Sequence, residues 1–256
     1  MSWLGVWLVG LGLADLVRAA APPAVARRSP AVGAAVMAAF AALAGLTAPI
    51  DLVVLGVSMV ALALWAVLSA QALSTGRGHG RALAVLGAVA FALIALSGWA
   101  SSAGGRLASW LAWADLPMLE ADSDPGAVLL VTGLLVANLA TANVVVRLVL
   151  VSVGALRPVQ QAELPSGPQP SDQLRGGRLL GPMERVLIIG LGLAGQLTAA
   201  GLVIAAKGLI RFPELQAKRD ESSTVDAVGI DEVTEYFLVG SFVSWLVALA
   251  SLALTR

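Results

Sequence analysis

Ionisable side chains are scarce in this sequence, and a few of them fall inside or beside long apolar runs. Charge there is costly and tends to mark a working site. Arg185, Gln196, Lys207 and Arg211 are spaced so that a continuous helix, at 100° per residue, carries all four on one face. On such a helix Arg185 and Lys207 stand about 33 Å apart at 1.5 Å per residue. That is close to the ~30 Å of a bilayer's hydrocarbon core, with Gln196 near its midplane. Two readings stand side by side. Either the cations snorkel to the two surfaces while Gln196 bonds a neighbouring helix, or the stripe is a polar path or ligand site.

Glu235 opens the next apolar run at the level of Lys207 and Arg211, and an ion pair closing the helical hairpin is expected there. Tyr236, Gly240, Ser244 and Ala248 follow at spacings of four. The last three form a small-residue seam that suits close approach by another helix, of a partner protein or of a second copy in a homo-oligomer. Asp15 with Arg18, Asn143 with Arg147, and Glu184 with Arg185 make a further group, which meets if their helices are neighbours. They are local pairs and caps at a wet interface, or else a cytoplasmic-facing docking or anion site. Asp51 reads as a turn or helix-start residue. His79, the one histidine, sits in RGHGR, and a lone histidine does not make a metal site.

The motifs of catalysis are missing. There is no G-x-S-x-G, no P-loop lysine and no pair of carboxylates in the middle of a helix. GLGLAG at 190–195 lies in an apolar helical run with no strand before it, so it does not read as a nucleotide loop. With no cysteine, disulfides, thiolate zinc sites and cysteine nucleophiles are excluded. No cofactor or metal is expected, and the chain reads as non-enzymatic.

The elements that must hold these groups are apolar helices. Of the 256 residues 58% are hydrophobic and 12% charged, and mean hydropathy is +0.87. Soluble domains have about 25% charged residues, so lipid is the expected solvent. Sixteen basic residues balance 16 acidic ones, which leaves no electrostatic footprint for nucleic acid. The expected fold is an all-α, multi-pass membrane bundle with about seven transmembrane helices. Seven segments have the length and apolarity for a span: 3–21, 31–49, 51–73, 82–101, 127–150, 184–207 and 235–254. The first reads as a retained helix, because Arg18 follows its apolar core and no basic residue precedes it, the reverse of a signal peptide.

The expected organisation is a five-helix membrane region over 1–156, a flexible cytoplasmic linker over 157–180, and a C-terminal membrane hairpin over 181–256 with an acidic loop at 212–234. Within the first part, 106–118 reads as a short interfacial helix marked by Trp110 and Trp113. The distribution of Lys and Arg favours an N-terminus outside and a C-terminus inside the cytoplasmic membrane. Only Arg106, Lys207, Arg211, Lys218 and Arg219 then fall outside. If GLGLAGQL breaks the sixth segment into a re-entrant hairpin, all of these except Arg106 return to the inner side and Arg256 moves out.

Three stretches carry a resemblance: GGRLLGPMER from Gly176, QLTAAGLVIAAKGLIRF from Gln196, and EYFLVGSFVS from Glu235. Together they resemble the C-terminal part of a bacterial membrane-protein family, domain of unknown function 3307. Gly177, Arg178, Gly181, Glu184 and Arg185 match its first motif. Lys207, Arg211 and Phe212 match the second, and Glu235, Tyr236 and Gly240 the third. Asn143 and Arg147 correspond to an Ala-Asn and an Arg that precede them. The resemblance covers the C-terminal third. At the N-terminus the family's His and Gln flank an Ala-Asp pair, where this chain has Leu11 and Ala19 around Ala14 and Asp15. The resemblance implies a membrane location and no particular activity. The alanine-, arginine- and glycine-rich, lysine-poor composition is similar to that of actinobacterial proteins.

Two functions follow as expectations. The first is a non-enzymatic scaffold, regulatory or partner-binding membrane component, acting through its helix seams or the linker. The alternative is a small-solute or ion transporter using the Arg185–Gln196–Lys207 stripe.

Overall fold

A computed structural model describes residues 1–115, 124–158, 177–221 and 230–255, with the backbone alone over 177–179, 210–221 and 230–233. The described residues are helical, with no strand among them. They form two compact units, 1–67 with 82–141, and 68–81 with 142–254. One boundary between them falls at 141/142, so the helix that begins there belongs almost entirely to the second unit. Residues 159–176 of the expected linker lie outside the described residues, as does most of the acidic loop.

The first unit is built around α1 (Ser2–Ala20), which is buried over most of its length. A four-residue turn of helix, α2 (Pro23–Ala26), leads into α3 (Ser29–Leu43), and α4 (Pro49–Thr75) follows. Glycine lets the backbones of α1 and α3 touch: a Cβ on Gly33 would stand 2.7 Å from the Gly10 carbonyl oxygen. On the opposite side α1 meets α7 (Pro125–Leu139) in the same way, a Cβ on Gly133 coming 2.7 Å from the Gly5 carbonyl. Asp124 starts α7 by accepting from the N–H groups of Gly126 and Ala127, with Pro125 at the first helical position.

α5 (His79–Ala95) and α6 (Gly105–Ala114) complete the first unit's helices. α6 falls where an interfacial helix is expected, although residues 116–118 of that segment are outside the described residues. It exposes Trp110 and Trp113. At the other end of α1, Arg27 and Arg28 are exposed beyond Arg18.

The second unit holds α8 (Thr141–Ser152), α9 (Gly177–Leu193), α10 (Leu197–Glu221) and α11 (Ile230–Ala253). The expected continuous helix over 184–207 does not form. Gly195, at φ +75°, ends α9 in a Schellman turn: Gln196 N–H donates to the Leu191 carbonyl at 2.8 Å and Gly195 N–H to Gly192 at 3.1 Å. The chain then doubles back as α10.

Among the described residues three helices are long and apolar enough to cross a membrane, Ser2–Ala20, Pro49–Thr75 and Thr234–Ala253. A fourth is counted if the bent pair Pro125–Leu139 and Thr141–Ser152 is one span. Seven spans are not supported, because an apolar run is not always one unbroken helix. The segment over 31–49 gives a helix of 15 residues, that over 82–101 overlaps one of 17 that ends at Ala95, and 184–207 is split at Gly195.

Candidate functional site

α9 and α10 are an antiparallel pair. Glu184, eleven residues before Gly195, accepts a short hydrogen bond from Lys207, twelve residues after it. The other oxygen of Glu184 accepts the Trp245 indole N–H at 2.6 Å. Lys207 Nζ also lies 5.7 Å from the centre of the Trp245 ring, within cation–π range. A carboxylate, an ammonium and an indole thus join α9, α10 and α11.

Arg185, the next residue on α9, is 1% exposed. A buried guanidinium must be met by oxygens. It donates to Ser244 Oγ on α11 at 2.8 Å and to Asn143 Oδ1 on α8 at 2.6 Å. Gly181, one turn earlier, lies beside it: a Cβ there would be 3.5 Å from the guanidinium, in ordinary contact.

These groups border a cavity of about 440 Å³ between α8, α9, α10 and α11. Glu184, Arg185, Lys207, Asn143 and Tyr236 supply its polar wall. The rest is mostly apolar, with Val146 and Leu150 from α8, Val203 from α10 and Phe237 from α11. The volume is within the roughly 300–1,000 Å³ of small-molecule sites.

No family model, curated protein or solved structure matches this chain. The site therefore has to be read from its own geometry.

Of the residues singled out in the sequence, Asn143, Glu184, Arg185, Lys207, Tyr236, Gly240 and Ser244 come together here. The stripe does not survive. Arg185 and Lys207 belong to one level of a hairpin, not to opposite faces of a membrane, and Gln196 is exposed beside the turn at its far end. Glu235 is exposed, and the expected pair between it and Lys207 is replaced by Lys207–Glu184. Arg147 lies on the exposed side of α8. The side chains of Arg178 and Arg211 are outside the described residues.

The seam on α11 is used within the chain. A Cβ on Gly240 would touch Leu150 of α8 at 3.6 Å, Ser244 holds Arg185, and Ala248 is fully buried.

Asp15 is in the first unit, apart from this group. It pairs with Arg18 at 2.7 Å and accepts the Trp65 indole N–H at 3.1 Å, while Arg18 donates to the Ala66 carbonyl. At the opposite end of α1, Trp3 donates to Asp51 at 2.7 Å. Asp51 also accepts from the N–H groups of Ala48 and Ser101, so it caps α4 as a helix-start residue while tying α4 to α1. Trp3, Trp65 and Trp245 are the partners that sequence reasoning missed, since each counts as an apolar residue in its run. One signal was available for the cavity: Glu184 and Lys207 are almost equidistant from the Gly195–Gln196 break.

Proposed function

We propose that this chain is a multi-pass protein of the cytoplasmic membrane that holds a small ligand in the α8–α11 cavity and carries out no reaction on it. One observation carries the reading: apolar side chains point outward while charge is turned inward. On α4, Val53, Val57, Val60, Leu64 and Val67 are exposed at helical spacing, and on α11 so are Leu238, Phe242, Leu246 and Leu249. Water would not tolerate such stripes over whole helices, whereas Arg185 is sequestered. Intramembrane ionisable groups of this kind face the interior and mark ligand or solute sites.

The resemblance to the domain of unknown function 3307 family supports the membrane location, and Gly181, Glu184, Arg185, Lys207, Tyr236 and Gly240 of its C-terminal motifs line the cavity. The hairpin favours ligand holding over the stripe-based transport path, because no line of polar groups runs from Arg185 through Gln196 to Lys207.

Cysteine reactivity in native membranes tests this reading. Ser241 lines the cavity; Ser251 is buried on the same helix and bonds the Val247 carbonyl. A small charged thiol reagent is expected to modify Ser241→Cys and spare Ser251→Cys, in a protein that resists alkaline extraction from the membrane. Extraction by carbonate, or equal protection of both cysteines, would remove the basis for the proposal.

A further inference from the structure

We infer that the cavity takes a monoanionic amphiphile: a carboxylate or phosphate head group at the Arg185–Lys207 wall, with an alkyl portion along Val146, Leu150, Val203 and Phe237. The inference rests on the ligand-holding reading above and adds the ligand's charge and shape. Among the described residues the charged side chains of the lining are Glu184, Arg185 and Lys207, which sum to one net positive charge. Ser244 and Asn143 are neutral, so they fix the guanidinium in place without cancelling its charge. A guanidinium has five N–H donors in a planar fork suited to carboxylate and phosphate oxygens.

Glu184 alone would repel an anion, but both of its oxygens are engaged, one by Lys207 and the other by Trp245. Tyr236 adds a phenolic hydroxyl to the polar wall. Away from these groups the wall offers hydrocarbon, which a small hydrophilic anion cannot use and an alkyl chain can. Each buried methylene contributes roughly 0.8 kcal/mol, so chain length should govern affinity. Cations are disfavoured by the net charge, and neutral alcohols lack the charge-assisted bonds.

The test is saturable thermal stabilisation of the full-length protein, purified in an uncharged detergent. Laurate would be compared with dodecanol, dodecylamine, acetate and inorganic phosphate, all below micelle-forming concentrations. Laurate is expected to raise the unfolding temperature saturably, at concentrations at least tenfold lower than acetate or phosphate require, and dodecanol and dodecylamine to give no saturable shift. Glu184→Gln and Lys207→Gln supply the charge test. Both break the same ion pair, but the first raises the wall's net charge and the second removes it. Laurate affinity should rise in Glu184→Gln and fall at least tenfold in Lys207→Gln.

A change in the same direction in both variants would mean that the pair acts through structure alone, and would overturn the inference. Stabilisation by phosphate as strong as by laurate would overturn the amphiphile and leave a free anion. Absence of any saturable anion effect, with Ser241→Cys still reactive, would defeat this inference while the ligand-holding reading stood. Loss of that reactivity would defeat both.

Discussion

Trp3 and Trp65 donate indole N–H groups to Asp51 and Asp15, so α1 and α4 each give one tryptophan and receive one at two levels of the first unit. A carboxylate buried between apolar helices is tolerable only with donors around it. Donors to Asp51 include Trp3, Ala48 N–H and Ser101 N–H. Trp3→Phe keeps the ring and removes one donor, so its cost should lie near the ~0.6 kcal/mol average for side-chain bonds between membrane helices. Asp51→Ala strands these donors and should cost more, about 1–3 kcal/mol. Thermal unfolding in detergent orders the two; an equal loss would assign the effect to packing. Of this arrangement only the local half was legible in the sequence. The Asp15–Arg18 spacing and the helix-start role of Asp51 lie within one turn of chain. The tryptophan partners are some fifty positions away, and hydropathy treats an indole as an apolar surface although it carries a donor.

Glycine decides how the helices of each unit meet. Gly5 and Gly12 on α1 face α7, while Gly10 faces α3, so the helix presents backbone on two sides. Close approach of this kind gains dispersion contacts where lipid offers no hydrophobic drive between helices. Gly133→Leu has nowhere to place its side chain, since even a Cβ would sit 2.7 Å from the Gly5 carbonyl and 2.9 Å from Leu8 Cβ. A Cβ on Gly87 of α5 meets nothing within 4 Å, so Gly87→Leu starts into open space. The first should separate α1 from α7 and cost at least the 1–3 kcal/mol typical of overpacking; the second should leave the unfolding temperature unchanged. A small-residue seam was readable on α11 from its spacing of four, but which helix fills a seam is a tertiary fact. The same limit explains the sixth segment. An apolar window averages over Gly195, whereas the backbone at φ +75° turns there.

At the scale of the whole molecule the hairpin changes which side of the membrane the C-terminus reaches. Arg185 bonds Ser244, and a Cβ on Gly192 would run into Leu252, so α9 and α11 advance in the same direction. Since α10 returns toward the level where α9 begins, α11 runs from that level toward the level of the Gly195 turn. Arg157, Arg175 and Arg178, before, within and after residues 159–176 of the sequence, favour the inner side for the start of α9. With the start of α9 inside, Thr255 is expected outside, in place of the inner C-terminus expected from a continuous helix. Arg18, Arg27 and Arg28, after the apolar core of α1, separately favour an outer Ser2. The charge rule gains from the change, because Lys207, Arg211, Lys218 and Arg219 all return to the inner side. Single cysteines at Ser2, Ser166, Ser222 and Thr255 in this cysteine-free chain, probed with an impermeant reagent on intact cells, measure it directly. Labelling of Ser2 and Thr255, with Ser166 and Ser222 reached only after permeabilisation, is the expected pattern. Labelling of Ser222 with Thr255 protected would restore a membrane-crossing 184–207 segment. The level shared by Glu184 and Lys207, and with it the cavity, would then have to be abandoned.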